Sequence, residues 1–439
     1  MQPSAPSLAL AIPFFGLLAS MAVLPIAAPR FWNRRMDLVA LFWSIALLGA
    51  TAVASGAPAA ALALWHAMVI NYLPFVTMLL ALYAAGGGVL LRGGPAGTPV
   101  GNTVMLALGM LMGLVMGTTG ASMVLIHPLL RANAHRQRKV HLVLFLIVLV
   151  ANASGALTPL GNPPLYIGLL RGVPFFWPAR HLFLPLLLVT GVLLAGFLLL
   201  DRHFAAKEPP PPRAERFRIR GWWNVALILL VVVAVLVQPL FARYGTTVFG
   251  EPVSLAAVVP VVLFLAVTVV SVVSTPRAIR QANDFSWHPM IEVATLFAAV
   301  FITIGPVEAM LRAGADGPLS ALLSLSSDRS GQAWPVAYFW LTGILSAFLD
   351  NAPTYLVFFE LAGIRPAAMT VLEATTLMAI SSGAVFFGGL TYIGNAPNMM
   401  LRSIAAHRGV RMPNFFAFTA LASILLLPVL ILVSLVFFR

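Results

Sequence analysis

Residues 155–164 read GALTPLGNPP and residues 388–397 read GGLTYIGNAP. Set back by 388 − 155 = 233 positions, the second stretch matches the first at Gly, Leu, Thr, Gly, Asn and Pro. Each stretch interrupts an apolar run. Gly and Pro at that density break a helix, because Pro donates no N–H and Gly readily leaves helical dihedrals. The pair therefore predicts two broken helices, over residues 139–171 and 369–407.

The same offset carries Gly117 onto Asp350 and Thr118 onto Asn351. These residues lie in two further apolar stretches, 100–131 and 331–363, each too long for one comfortable span. Each has a polar middle, GTTGAS at Gly117–Ser122 and LDNAPT at Leu349–Thr354. Two short arms meeting at a polar tip describe a re-entrant hairpin. Such a tip is tolerated at membrane depth only where protein buries it or it lines a cavity.

The rest of the chain agrees. Of 439 residues, 60% are hydrophobic and 9% charged, and mean hydropathy is +0.97. A soluble surface needs roughly a quarter charged residues, so most of this surface faces lipid. Unbroken spans are expected near 8–28, 36–55, 68–91, 181–200, 222–243, 251–275, 288–311 and 412–438. The first has no Lys or Arg before it and reads as a span rather than a cleavable signal. With the two broken helices this gives an all-α polytopic membrane protein of about ten transmembrane helices plus two re-entrant hairpins.

The segment 201–221, DRHFAAKEPPPPRAERFRIRG, reads as a Pro-rich basic linker between two halves. Residues 1–200 form the first repeat, with hairpin 100–131 and broken helix 139–171. Residues 222–439 form the second, with hairpin 331–363 and broken helix 369–407. Each half has three spans, a hairpin, a broken helix and a last span. Five crossings is an odd number, so the second half enters inverted, the plan of many secondary transporters.

Net charge is +13, but the basic residues sit in short loops. They act as topology signals rather than as a nucleic-acid face. One side collects nineteen Lys and Arg, six of them in the linker, and the other the remaining 26 − 19 = 7. The rich side is expected to be the cytoplasm, with both termini outside a bacterial-type inner membrane. Cysteine is absent, which excludes disulfides and thiolate chemistry. A membrane enzyme is disfavoured, since neither a Ser–His pair nor a His/Asp/Glu metal cluster has convincing spacing. No cofactor is implied.

Broken helices and hairpin tips leave backbone carbonyls and N–H groups without helical partners. Around a midplane cavity the carbonyls suit Na+, and the helix N-termini suit anions. Candidate residues in the first half are Thr118, Thr119, Thr158, Gly161 and Asn162. In the second they are Asp350, Asn351, Thr354, Thr391, Gly394 and Asn395. Thr and Asn offer neutral oxygens to a hard cation, though they also cap broken helices well. Asp350 is the acid placed at membrane depth, where a carboxylate is costly and usually functional. It is the candidate for exchanging H+ against Na+. Glu360 and His127 occupy equivalent positions on the return arms, as proton relays or as ordinary polar residues near the surface.

With GNPP, GNAP and LDNAPT in these places, the whole chain resembles the ion-transporter superfamily. Its branches include Na+/H+ antiporters, arsenite transporters and carriers of citrate and other carboxylates. The resemblance implies a homodimer in which a transport domain moves against a scaffold, with cation sites at the hairpin tips and Gly-Asn pairs. Carboxylate carriers of this superfamily hold substrate with Ser-Asn-Thr tips, whereas these tips read Gly-Thr-Thr-Gly and Asp-Asn-Ala-Pro-Thr. No arginine is predicted at membrane depth. ASGALTPLGNPPLYIGLLRGVPFFW nevertheless resembles sequences labelled citrate transporters. The expectation is Na+/H+ antiport through Asp350. Na+- or H+-coupled citrate or dicarboxylate uptake is the alternative, and arsenite export is a third reading.

Overall fold

The computed structural model describes residues 7–94, 97–211, 215–241, 243–248, 251–314 and 317–439. The first half contains α1 (Ile12–Ala27), α2 (Pro29–Ser55), α3 (Ala57–Gly86) and α4 (Pro99–Ala132). Then come α5 (Val140–Leu157), α6 (Pro163–Leu170) and α7 (Phe183–Ala205). The second half opens with α8 (Trp223–Phe241), α9 (Leu255–Ser274) and α10 (His288–Arg312). It continues with α11 (Pro335–Leu349), α12 (Asn351–Leu361), α13 (Val371–Leu390), α14 (Ala396–His407) and α15 (Phe415–Phe437).

Among the described residues, 11 helices are long and apolar enough to cross a membrane. Their outer faces stay apolar and uncovered, with Val53 91%, Val273 80% and Ile424 70% exposed. Apolar surface of that extent needs lipid against it. The chain is a multi-pass, all-α membrane protein. Its core is the region around the two breaks, where every residue from His141 to Ala156 is buried.

Two boundaries differ from the sequence reading. The third span begins at Ala57 rather than near 68, and ends at Gly86 rather than 91. Its early turns include His66 and Asn71, which a hydropathy window discounts. They are accommodated in a π-helical stretch, His66–Tyr72, where Asn71 Nδ2 donates to His66 O at 3.2 Å. The linker is also more ordered than its composition suggests. Residues 201–205 continue α7, and Glu215–Arg220 forms a strand pairing antiparallel with Leu90–Gly94. Phe217 and Ile219 alternate with Arg216, Arg218 and Arg220, which is the period of a strand. Residues 212–214 of the linker lie outside the described residues.

α4 does not run straight. Extended, 34 residues of helix would measure roughly 50 Å. Instead Asn102 and Asn133, near its two ends, exchange amide hydrogen bonds of 3.0 and 2.7 Å. The chain doubles back at Gly117, whose dihedrals (φ 76, ψ 156) interrupt the helix. α11 and α12 turn in the same way at Asp350 (φ 77, ψ 151), bringing the Tyr338 and Phe358 rings to 6.1 Å.

Asp201 closes the mouth of the first hairpin. It is fully buried at the end of α7 and accepts from Asn102 Nδ2 at 2.8 Å, with His141 Nε2 at 2.8 Å and the Arg136 guanidinium on its other oxygen. Removing one partner of a buried ion pair leaves the other charge uncompensated, at a cost of about 3–5 kcal/mol. Asp201→Ala should therefore lower the thermal unfolding midpoint of the detergent-solubilised protein by many degrees. A midpoint within a degree of wild type would show that the cluster is not structural.

Candidate functional site

The two breaks are built alike. After α5 the chain extends through Thr158 (φ −135, ψ 148) to Asn162, and Pro163 opens α6. After α13 it extends through Thr391 (φ −131, ψ 167) to Asn395, with Pro397 in the first turn of α14. Thr158 donates its hydroxyl to Leu114 O and accepts from Gly161 N at 3.0 Å. Thr391 donates to Ala347 O and accepts from Gly394 N at 3.0 Å. Donors and acceptors are all related by the same step, since 391 − 158, 347 − 114 and 394 − 161 each equal 233. Each threonine thus ties its break to the first arm of the facing hairpin.

The glycines serve close approach. A Cβ on Gly155 would stand 2.6 Å from Gly161 O, and one on Gly394 would stand 2.8 Å from Gly388 O. A side chain at either place would push the extended segment out of its loop.

Hydrogen bonds between the halves then fuse the site. Within the first half Thr118 N donates to Gly161 O at 3.0 Å, and across the halves Asn351 Nδ2 donates to Asn162 Oδ1 at 2.8 Å. Asn395 Nδ2 donates to Ala151 O and Asn152 Oδ1, at 2.9 and 3.1 Å. Asn152 Nδ2 in turn donates to Asn398 Oδ1 at 2.9 Å, while Asn398 Nδ2 caps Gly388 O and Thr391 O. The sequence reading missed Asn152 and Asn398. The available signal was their cost, because an Asn buried within an apolar run requires partners.

A small cavity of about 60 Å³ lies between the hairpin tips and the breaks. Of the candidate residues, Thr118, Thr119, Gly161, Asp350 and Asn395 line it. Thr158, Asn162, Asn351, Thr354, Thr391 and Gly394 stand behind this lining, occupied by the bonds just described and by Thr354 Oγ1 to Asp350 O at 2.9 Å. The N-termini of α6, α12 and α14 and the return arm of α4 all begin at this cavity. The positive ends of their dipoles make it favourable to negative charge.

Asp350 adds a carboxyl group. Its dihedrals fall in a region that essentially only glycine occupies, and glycine is what stands at the equivalent Gly117. Asp350 Oδ1 accepts from Asn351 N at 2.6 Å. Among the described residues no Arg, Lys or His forms an ion pair with it. It is not the carboxylate of a structural salt bridge.

The small cavity opens into a cleft of about 890 Å³, which shares Asp350, Asn395, Tyr83 and Phe297 with it. His288 and Glu292, at the start of α10, line this cleft. The other end of α10 carries Glu308 and Arg312, roughly 30 Å away along the axis. There Arg171 pairs with Glu308 at 2.5 Å and with Glu360, while Arg312 Nε holds Glu360 at 2.8 Å. The cleft and this cluster therefore mark opposite ends of one long helix. Glu360 is engaged in the cluster, whereas buried His127 approaches Asp284 at 3.7 Å.

Broken helices, doubled-back hairpins and a central cavity reached by a cleft at one end define a polytopic membrane protein built to pass a small solute. The chain belongs to the family described as "Putative citrate transport", whose model matches residues 4–438. It is also similar to a "46 kDa membrane protein" of Mycobacterium leprae, 25% identical over 337 residues, covering 74% of this chain and 73% of the relative.

Asp350→Gly separates the two demands on this position. It releases backbone strain of about 1–3 kcal/mol against a lost helix cap of about 1 kcal/mol. The variant should unfold no earlier than wild type while losing any sodium-dependent stabilisation, both read from thermal melts with and without NaCl. Early unfolding, or an unchanged sodium effect, would remove Asp350 from the site.

Proposed function

We propose that this protein is a secondary transporter that moves citrate or a related carboxylate across a bacterial-type inner membrane, coupled to Na+ or H+ at Asp350. The observation that carries this is the convergence of four helix starts on a cavity whose unpaired acid is Asp350. The helix starts favour the anion, and Asp350 with the Thr118 and Thr119 hydroxyls favours its coupling cation. The family membership points to the same class of solute. No catalytic step is invoked, and the protein acts without a cofactor.

The two interrupted halves act as inverted repeats, with hairpins entering from opposite sides. The cleft then faces the cytoplasm with the linker, both termini face outward, and the Arg171–Glu308–Glu360–Arg312 cluster seals the outer end. Movement of the fused breaks and hairpins past α10 would exchange the two openings. A homodimer would supply the fixed scaffold.

Na+/H+ exchange is the second reading. It is favoured by the size of the inner cavity, about 60 Å³, which suits an ion better than a tricarboxylate.

Proteoliposomes loaded at one pH and given labelled citrate with or without a Na+ gradient decide between them. Gradient-driven citrate accumulation, cut about 100-fold or more in Asp350→Asn, is expected. Sodium pulses that move protons while citrate stays outside would establish exchange instead. The sealed end gives a separate prediction. The chain has no native cysteine, so Ser403→Cys, in the cleft, reports its exposure alone. An impermeant maleimide should label it from the cytoplasmic side. Glu360→Gln, by loosening the outer cluster, should lower that labelling rate severalfold, whereas an unchanged rate would mean the cluster does not hold this state.

A further inference from the structure

Most acidic and basic groups lining the cleft already have partners. Asp284 is held by Arg408 at 3.1 Å, Glu292 lies 3.9 Å from His288, and His407 Nδ1 bonds Ser403 O at 2.8 Å. Two remain, Asp350 at the floor and Arg402 on the wall. Among the described residues, Arg402 makes no ion pair and no hydrogen bond, and its guanidinium is partly exposed to the cleft.

The direction of Arg402 is informative. It lies on α14, seven residues after Asn395, which places its Cα about 10 Å along the axis from the break. An arginine serving only as a topology signal extends outward toward the headgroups. Arg402 instead folds back toward the helix start, and its guanidinium carbon stands 4.7 Å from the centre of the Tyr392 ring. Tyr392 belongs to the broken segment itself. Its ring is fixed by a 3.1 Å bond from its hydroxyl to Pro413 O and by stacking on Phe418 at 3.9 Å. The stacked face anchors the guanidinium and leaves its N–H edge free. That edge is a planar fork matched to a carboxylate.

We propose that Arg402 binds a carboxylate group of the transported anion where the cleft meets the inner cavity. This rests on the carboxylate reading and names the side chain that makes the cleft selective for a multiply charged anion. One carboxylate meets the Arg402 fork, and the remainder of the anion points toward the helix starts beyond Asp350. The arginine missing from the hairpin tips is thereby supplied from the helix after the second break.

Binding of labelled citrate to the purified full-length protein in detergent tests this, alongside the NaCl-dependent thermal shift. Loss of a charge-assisted pair predicts about thirtyfold weaker citrate binding in Arg402→Gln. Arg402→Lys should recover part of the loss, and the sodium shift should be unchanged in both. Wild-type citrate affinity in Arg402→Gln, with citrate still bound by wild type, would overturn the assignment and leave the carboxylate reading intact. Loss of citrate binding together with the sodium shift would also overturn it, by showing that the residue only supports the fold. If wild type binds neither citrate nor any dicarboxylate offered, the carboxylate reading falls and Arg402 with it.

Discussion

The structure depends on how it satisfies backbone polar groups that a helix would have satisfied by itself. In a lipid interior an unpaired carbonyl or N–H costs several kcal/mol, so an extended segment survives only if side chains take over. Thr158 and Thr391 do so, each donating to a hairpin carbonyl and accepting from the glycine N–H three residues on. One hydroxyl thus stabilises a loop and docks it to its hairpin. Because each clamp joins a break to a tip, the cavity between them has a defined shape before any solute arrives.

The asymmetry between the halves is where chemistry enters. Gly117 turns the first hairpin at no steric cost, and its neighbour Thr118 bonds across to Gly161. Asp350 makes the same turn with a side chain that its dihedrals disfavour, and satisfies Asn351 N with its own carboxylate. A strained residue thus stands in the cavity wall where glycine would serve the turn. Arg402 lines the same cleft, without an ion pair among the described residues and with the opposite sign of charge to a carboxylate.

Much of this was legible in the residues. The spacing of Gly, Thr and Asn located both breaks, and the polar middles of 100–131 and 331–363 located both turns. Those features are local, written in residues that cannot continue a helix. What escaped was long-range. Asn152 and Asn398 are single polar residues whose partners lie 246 positions apart. Arg402 looked like one more loop cation because hydropathy reports where a Cα sits and not where a long side chain reaches. The β-strand at Glu215–Arg220 was hidden by its proline-rich approach, although its alternation was present. Of the eleven candidate residues, the sequence could not tell those lining the cavity from those behind it, since both groups have the same composition.

The four-charge cluster at the far end of α10 carries one more implication. Glu360 is nearly enclosed, but Arg312 is 59% exposed, so mobile ions reach one side of the cluster. At physiological ionic strength fields at such a boundary are screened over about 8 Å. The stability of the cluster therefore varies with the ionic strength of the solution bathing it. Raised salt would weaken the pairing of Arg312 with Glu360, and the packing of α10 against α12 would respond through a few surface charges.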